Sequence, residues 1–208
     1  MKIIKILPVA AILFIGLSSC EDDAVEKQEP VVASTVENLP ADVGQGINPM
    51  TGRPQFSGKF TFYNLKDNKV VPSSDSTSTN WDIGLKGTTI ITNGGASGLG
   101  QGGAYVANGI FSEMKNLDAS ASFTADSNES LAIPTGSGKG WYTYNPQNNE
   151  ITPIAGKVIF IRTAEGKFAK MEILSYYKDK PMIVTPTSKS RYYTFRYVYQ
   201  PDGSKTFE

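Results

Sequence analysis

The chain has 208 residues, 20 basic and 20 acidic side chains, a formal net charge of zero, one cysteine and no histidine. A charge so balanced leaves no electrostatic footprint for nucleic acid, and one cysteine cannot form an internal disulfide. The missing histidine removes Ser-His-Asp and Cys-His nucleophilic systems, imidazole general bases and the usual zinc sites together.

The N-terminus has the form of a secretory signal. Lys2 and Lys5 precede twelve apolar residues, 6–17, and a small-residue ending, Leu17-Ser18-Ser19-Cys20. A membrane span needs roughly 20 apolar residues, so residues 1–19 read as a signal peptide. Their ending resembles the bacterial lipobox, which implies cleavage before Cys20 and lipidation of its thiol and amine. Two or three acyl chains at about 0.8 kcal/mol per buried methylene anchor a protein essentially permanently. Residues 20–37 then read as a polar, acidic tether beginning Cys20-Glu21-Asp22-Asp23. That acidic start resembles the signal that exports lipoproteins of Bacteroidetes-type bacteria to the outer face of the outer membrane.

Residues 38–208 are expected to form a single domain. Residues 38–54, rich in Gly, Pro and Asn, read as an irregular lead-in. Phe56, Gly58, Phe60 and Phe62 alternate with polar neighbours at the period of a half-buried strand, and Asp67-Asn68 can turn that strand back towards Val70-Val71. Beyond a Ser/Thr run at 73–79, Trp81, Ile83 and Leu85 alternate with Asp82, Gly84 and Lys86, and residues 88–92 complete a second pair of strands.

Six glycines between Gly94 and Gly103 require a backbone that is either mobile or held in conformations closed to other residues. Gly98-Leu99-Gly100-Gln101-Gly102-Gly103 fits the dinucleotide-binding pattern G-x-G-x-x-G, but β-like Ala104-Tyr105-Val106 follows where a helix should start. Residues 111–117 could form a turn or two of helix. Their Ser112-x-x-Lys115 lacks the companion motifs of acyl-serine enzymes. Loop 130–140 leads into the aromatic strand Trp141-Tyr142-Thr143-Tyr144, ended by Asn145-Pro146.

Residues 157–177 form the expected centre of the fold. Val158-Ile159-Phe160-Ile161 is apolar at four successive positions, which calls for cover on both faces. The turn Thr163-Ala164-Glu165-Gly166-Lys167 returns the chain into a second arm, where Met171 and Ile173 face inwards and Lys170 and Glu172 outwards. Loop 178–190 precedes a last strand, 191–199, dense in Tyr and Phe. The chain is thus expected to be all-β and mostly antiparallel, with at most one or two short helices.

Carboxylates such as Asp82, Glu113, Asp118 and Glu150 are scattered with no spacing that selects a catalytic pair, so no enzyme activity is expected. Abundant aromatics beside glycine-rich loops suit either a domain that covers a flat apolar ligand or a β-sandwich with an aromatic core.

Asn80-Trp81-Asp82, Ser97-Gly98-x-Gly100-x-Gly102-Gly103-Ala104, Gly140-Trp141 and Val158-x-Phe160-x-Arg162-x-Ala164-x-Gly166-x-x-Ala169-Lys170 together resemble the HmuY family, in matching order over residues 56–199. These are haem-binding surface lipoproteins of Bacteroidetes. The resemblance implies a hand-like antiparallel fold, haem as cofactor, and a TonB-dependent outer-membrane receptor as partner. It also implies a location at the outer membrane, lipid-anchored and exposed at the cell surface. The family's two histidine ligands correspond here to loop 130–139 and Asn145-Pro146, which offer no imidazole. Some relatives use methionine, a soft ligand suited to reduced iron. The candidate metal ligands are then Met114 and Met182, with Tyr142 and Tyr144 as further haem contacts, Met50 in a loop with no role assigned and Met171 as a packing residue. The alternative is a HmuY-type lipoprotein for another ligand, such as a siderophore, or a receptor-associated interaction protein.

Overall fold

A computed structural model describes residues 30–208; the expected signal peptide, Cys20 and the start of the tether lie outside the described residues. In chain order the strands are β1 (Val32–Pro40), β2 (Gly46–Ile47), β3 (Pro54–Gln55), β4 (Thr61–Asn64), β5 (Lys69–Val71), β6 (Ile83–Lys86) and β7 (Thr89–Thr92). They continue as β8 (Gly103–Asn108), β9 (Tyr142–Asn145), β10 (Glu150–Pro153), β11 (Lys157–Arg162), β12 (Phe168–Tyr177) and β13 (Ser190–Gln200). A single 3-10 turn at Ser73–Asp75 is the only helix among the described residues.

The strands form a five-stranded sheet, β1-β13-β12-β11-β8, and a four-stranded sheet, β5-β4-β6-β7, with β2–β3 and β9–β10 as separate hairpins. Every pairing is antiparallel. The protein is therefore all-β and antiparallel, as its period-2 patterning requires.

The β11–β12 hairpin occupies the middle of the larger sheet. Ile159 and Ile161 of β11 join Met171 and Ile173 of β12 and Tyr193, Phe195 and Tyr197 of β13 on one face. There they meet Tyr63, Leu65, Ile83, Leu85 and Ile90 around the smaller sheet. Val158, Phe160 and Val198 face the other way, beneath Phe111, Leu117 and Phe207. Both faces of β11 are covered, so each of its four apolar side chains contributes on the order of 1.5–3 kcal/mol. A smaller cluster of Phe62, Val71, Trp81 and Ile91 backs the four-stranded sheet.

Four local expectations are corrected. Residues 32–37, read as tether, belong to β1, an edge strand whose half-buried Val32, Ser34 and Val36 alternate with exposed Ala33, Thr35 and Glu37. Phe56 lies outside β4, because Gly58 at φ +71 breaks the extended run. Residues 111–117 make one turn, with the Glu113 and Met114 N–H groups donating to the Ile110 carbonyl, and no helix. Lys170 is buried rather than solvated. The segment that covers its face supplies two acceptors for its ammonium, the Phe111 and Met114 carbonyls, each at 2.8 Å.

Candidate functional site

The register of the larger sheet separates two ends of the molecule. Pro40 opposes Tyr192, and Tyr177 opposes Ser190, so β1 and β12 finish where β13 begins. At the opposite end Val32 opposes Tyr199, Phe168 opposes Gln200, and Arg162 opposes both Phe168 and Gly103. Nine residues of β1 at about 3.4 Å each put roughly 30 Å between the two ends.

Three loop systems leave the first end. The β2–β3 hairpin follows β1 directly. The Ala41 N–H donates to the Arg191 carbonyl at the start of β13, and the Arg191 guanidinium stacks 3.5 Å from the Phe56 ring centroid. Arg191 also donates to the Asp42 carbonyl at 3.0 Å and to its carboxylate at 3.3 Å. Burial works against that carboxylate, but hydrogen bonds from the Ser57 hydroxyl and the Gly58 and Ser57 N–H groups, with the Arg191 charge, outweigh it and hold the Asp42 pKa below its ordinary value. At the hairpin tip the Asn48 side chain accepts the N–H groups of Met50 and Thr51, an Asx turn that sets Met50 at the apex.

Loop 178–189 joins β12 to β13. Its root is tied to β1 by a reciprocal pair, in which Asn38 Nδ2 donates to Asp179 Oδ1 at 2.9 Å and the Asp179 N–H donates to Asn38 Oδ1 at 2.6 Å. Val184 packs against the main core, leaving Met182 and Ile183 outside. The third system, the β9–β10 hairpin with loop 134–140, is docked on β12 through the Ile151 N–H, which donates to the Tyr177 phenol at 3.0 Å. Ser137 Oγ accepts the Tyr144 N–H at 2.8 Å, laying the loop along β9.

The candidate residues divide sharply. Met182 is fully exposed, 103%, at the tip of its loop. Tyr144 is 42% exposed on β9, its hydroxyl donating to Asn149 Oδ1 at 2.7 Å. Tyr142 is buried, with its ring 4.9 Å from that of Trp141 and its phenol accepting the Gly136 N–H. Its role here is packing. Met114 is half-buried in the cluster of Phe111, Phe160 and Phe207, its sulfur against Gly109. The Met114 carbonyl is bound by Lys170, seven strand positions before Tyr177 and so about 23 Å from where loop 178–189 begins. The fold therefore does not bring Met114 and Met182 together. It offers Met50 instead, 93% exposed on the β2–β3 tip at the same end as Met182. The signal for it was available in Asn48-Pro49-Met50-Thr51-Gly52, a turn sequence with a thioether at its apex.

The glycine-rich loop and both tryptophans take no part in this end's exposed surface. Trp81 and Trp141 are fully buried, and Trp141 packs on Tyr142, Tyr176 and Tyr193 as part of an aromatic core. Residues 93–103 lie at the opposite end, wound around the buried Asn93. Asn93 Nδ2 donates to the Ser78 and Trp81 carbonyls, and Asn93 Oδ1 accepts the Gly100 N–H at 3.1 Å. A Cβ on Gly100 would stand 2.7 Å from both the Ala164 Cβ and the Asn93 carbonyl oxygen, so close approach, not mobility, requires that glycine. Nearby, buried Asp82 accepts the Leu65 and Ala164 N–H groups at 2.8 and 3.0 Å. Desolvation raises its pKa to about 6, against those two hydrogen bonds and with help from the Glu165 and Asp67 charges.

These features define an all-β, antiparallel domain with its fully exposed methionines on loops at one end. The family model described as HmuY protein matches residues 57–197, and the chain belongs to the HmuY family. The match begins after the β2–β3 hairpin.

Among solved structures the chain is similar to the apo HmuY analogue of Tannerella forsythia, with 15% identity, 85% of this chain and 100% of that one covered, and a TM-score of 0.47. It is similar to a protein of Bacteroides vulgatus described as HmuY-like and heme-binding, at 15% identity, 82% and 92% coverage and a TM-score of 0.46. A third, described as a lipoprotein of Bacteroides fragilis, gives 16% identity, 82% and 91% coverage and a TM-score of 0.46. No curated protein shows significant sequence similarity to the chain.

Proposed function

We propose that this protein is a non-catalytic, lipid-anchored capture protein for haem, displayed at the cell surface, which passes its ligand to a TonB-dependent outer-membrane receptor. One observation carries the reading. Met50 and Met182 stand almost fully exposed on two loops that leave the same end of the sheet, each with a second exposed aliphatic side chain, Ile47 or Ile183. Exposed apolar side chains gathered on loop tips are characteristic of a ligand surface, since in an unliganded monomer they forgo burial. Closing them on a porphyrin face recovers roughly 25 cal/mol per Å² of apolar area removed from water.

Thioether ligation would stand in for the missing histidines. Met50 and Met182 would hold the iron through thioether sulfur, which favours the reduced state. Tyr144 would supply an aromatic contact from the third loop, and the Asp42–Arg191 and Asn38–Asp179 clamps hold the roots of the other two. Lipid on Cys20 would join the domain through β1, which enters the sheet at the glycine end.

Titration of the purified mature chain with haem, oxidised and reduced, tests the proposal through the Soret band. A shift on reduction that is lost in both Met50→Ala and Met182→Ala and kept in Met114→Ala is expected. No spectral change in either state would end the haem reading and leave a non-haem ligand, such as a siderophore, or a purely receptor-associated role.

A further inference from the structure

Loop 178–189, Lys-Asp-Lys-Pro-Met-Ile-Val-Thr-Pro-Thr-Ser-Lys, is chemically divided. Its tip is apolar, Met182 and Ile183, and its root is basic, with Lys178, Lys180 and Lys189. The root is closed by the Lys178 N–H, which donates to the Lys189 carbonyl at 2.9 Å, so these two lysines leave the sheet side by side. A cleft of about 330 Å³ opens between them, lined by Lys178, Asp179, Pro181, Thr187, Ser188 and Lys189.

The cleft is net positive, with two lysines against one carboxylate. Asp179, its one carboxylate, is engaged by Asn38 of β1 through both its backbone and its side chain. The ion pairs among the described residues use Lys69, Lys115, Arg191 and Arg196, and none uses Lys178 or Lys189. The nearest aromatic to the Lys178 ammonium is Tyr192, 5.9 Å from it. Two lysines thus border the cleft next to an apolar tip, together with Thr187 and Ser188, whose hydroxyls are hydrogen-bonded to Thr185 within the loop.

We infer that this cleft is a carboxylate subsite. It takes the acid groups of an amphiphilic ligand whose flat apolar body lies against Met182 and Ile183. The inference rests on the haem reading above, in which the acids are the propionates of the porphyrin. An apolar tip over a basic root would also suit an anionic membrane. The close pairing of the two lysines at one loop root, with Val184 drawn back into the core, favours a discrete acid group over an extended lipid surface.

The test uses iron-free protoporphyrin IX and its dimethyl ester, titrated into the mature chain by porphyrin fluorescence, so that metal ligation plays no part. Charge-assisted hydrogen bonds to two acids predict that the diacid binds at least about tenfold more tightly than the diester. The double variant Lys178→Gln/Lys189→Gln is expected to lose that preference and leave the diester affinity unchanged. Both positions are exposed, and far-ultraviolet circular dichroism checks that the fold is retained. Equal affinity for the two porphyrins in the wild-type chain, or a preference that survives in the double variant, overturns the subsite alone. Binding of neither porphyrin overturns the haem reading and the subsite with it. Association with phosphatidylglycerol vesicles that disappears in the double variant would give these lysines to a membrane and also overturn the proposal.

Discussion

The two ends of this protein are both built from loops, yet they are held in opposite ways. At the glycine end, buried polar side chains satisfy the backbone. Asp82 binds two N–H groups, Asn93 fixes residues 78, 81 and 100, and Asp126 accepts the Thr92 and Ala132 N–H groups. At the methionine end the loops are tied down at their roots and by Val184 and Ile151, which pack on the core, while their tips stand exposed. Six of the seven non-glycine residues with positive φ stand there, namely Asn38, Asp42, Asn149, Asp179, Lys180 and Arg191. Strained backbone of this kind persists only where neighbouring contacts over-determine it, which is the role of the Asp42–Arg191 and Asn38–Asp179 clamps. The contrast teaches where to look for function. The loop richest in glycine is a packed joint with only Leu99 of its large apolar side chains exposed, whereas the methionine-end loops present several exposed apolar tips.

Breaking the glycine end should have the largest effect. A Cβ at Gly94 would fall on the backbone of Gly102, with the nitrogen only 2.7 Å away, and backbone cannot swing aside. Gly94→Ala is expected to lose more than about 3 kcal/mol of stability in urea denaturation. Gly52 on the β2–β3 tip has nothing within 4 Å and a φ of +65, so Gly52→Ala should cost only about 1 kcal/mol for its left-handed backbone. Equal losses at the two sites would erase the distinction.

The same end should show a distinctive pH dependence. The Asp82 carboxyl has a pKa raised from 3.8 to about 6, so the native state binds its proton more tightly than the unfolded state. Stability from this group is therefore fully present below pH 3.8 and is lost as pH rises towards 6, by about 3 kcal/mol at most. Unfolding free energies measured from pH 4 to pH 7 should fall more steeply in the wild-type chain than in Asp82→Asn. An Asp82→Asn slope equal to that of the wild type would show that the carboxyl titrates normally.

The difference between the ends explains what could be seen in the sequence. The central hairpin was legible because Val158, Ile159, Phe160 and Ile161 leave no solvent face, and the all-β class followed from period-2 runs of this kind. β1 was not, since an edge strand with polar residues at 34–35 and 37–38 reads like tether, and its partner Tyr193–Tyr199 lies more than 150 residues away. Lys170 looked solvated because nothing local shows that residues 111–117 and Phe207 fold over it. Met114 and Tyr142 were plausible contacts by type and neighbourhood, but burial is decided by which segments pack together. Met182 and Tyr144 sat beside turn signals, which report exposure directly.

A smaller loss is expected from the clamp on loop 178–189. Asn38→Gly, which keeps the left-handed backbone free of a Cβ, removes a reciprocal pair of exposed hydrogen bonds, each worth about 1 kcal/mol or less. Ligand affinity should suffer more than stability, because the loop root would no longer fix the tip; parallel urea and porphyrin titrations measure both. A variant that lost only stability would make the pair a structural tie and nothing more.

The smallest effect on folding belongs to the residues on which the functional reading depends. Met50 and Met182 contribute almost no buried area, so Met50→Ala and Met182→Ala should each leave the denaturation midpoint within about 0.5 kcal/mol of the wild type. Met171, fully buried in the central hairpin, provides the control, since Met171→Ala should cost about 2–5 kcal/mol through transfer and cavity terms. The three variants remove the same side chain and differ only in its surroundings. If the tip methionines are kept for a ligand, their loss is silent in urea and visible in the reduced haem spectrum, whereas the loss of Met171 destabilises the fold and leaves the spectrum of the surviving native fraction unchanged. A measurable folding cost at Met50 or Met182 would mean that the tips fold back onto the domain in solution, and exposure would no longer argue for a ligand.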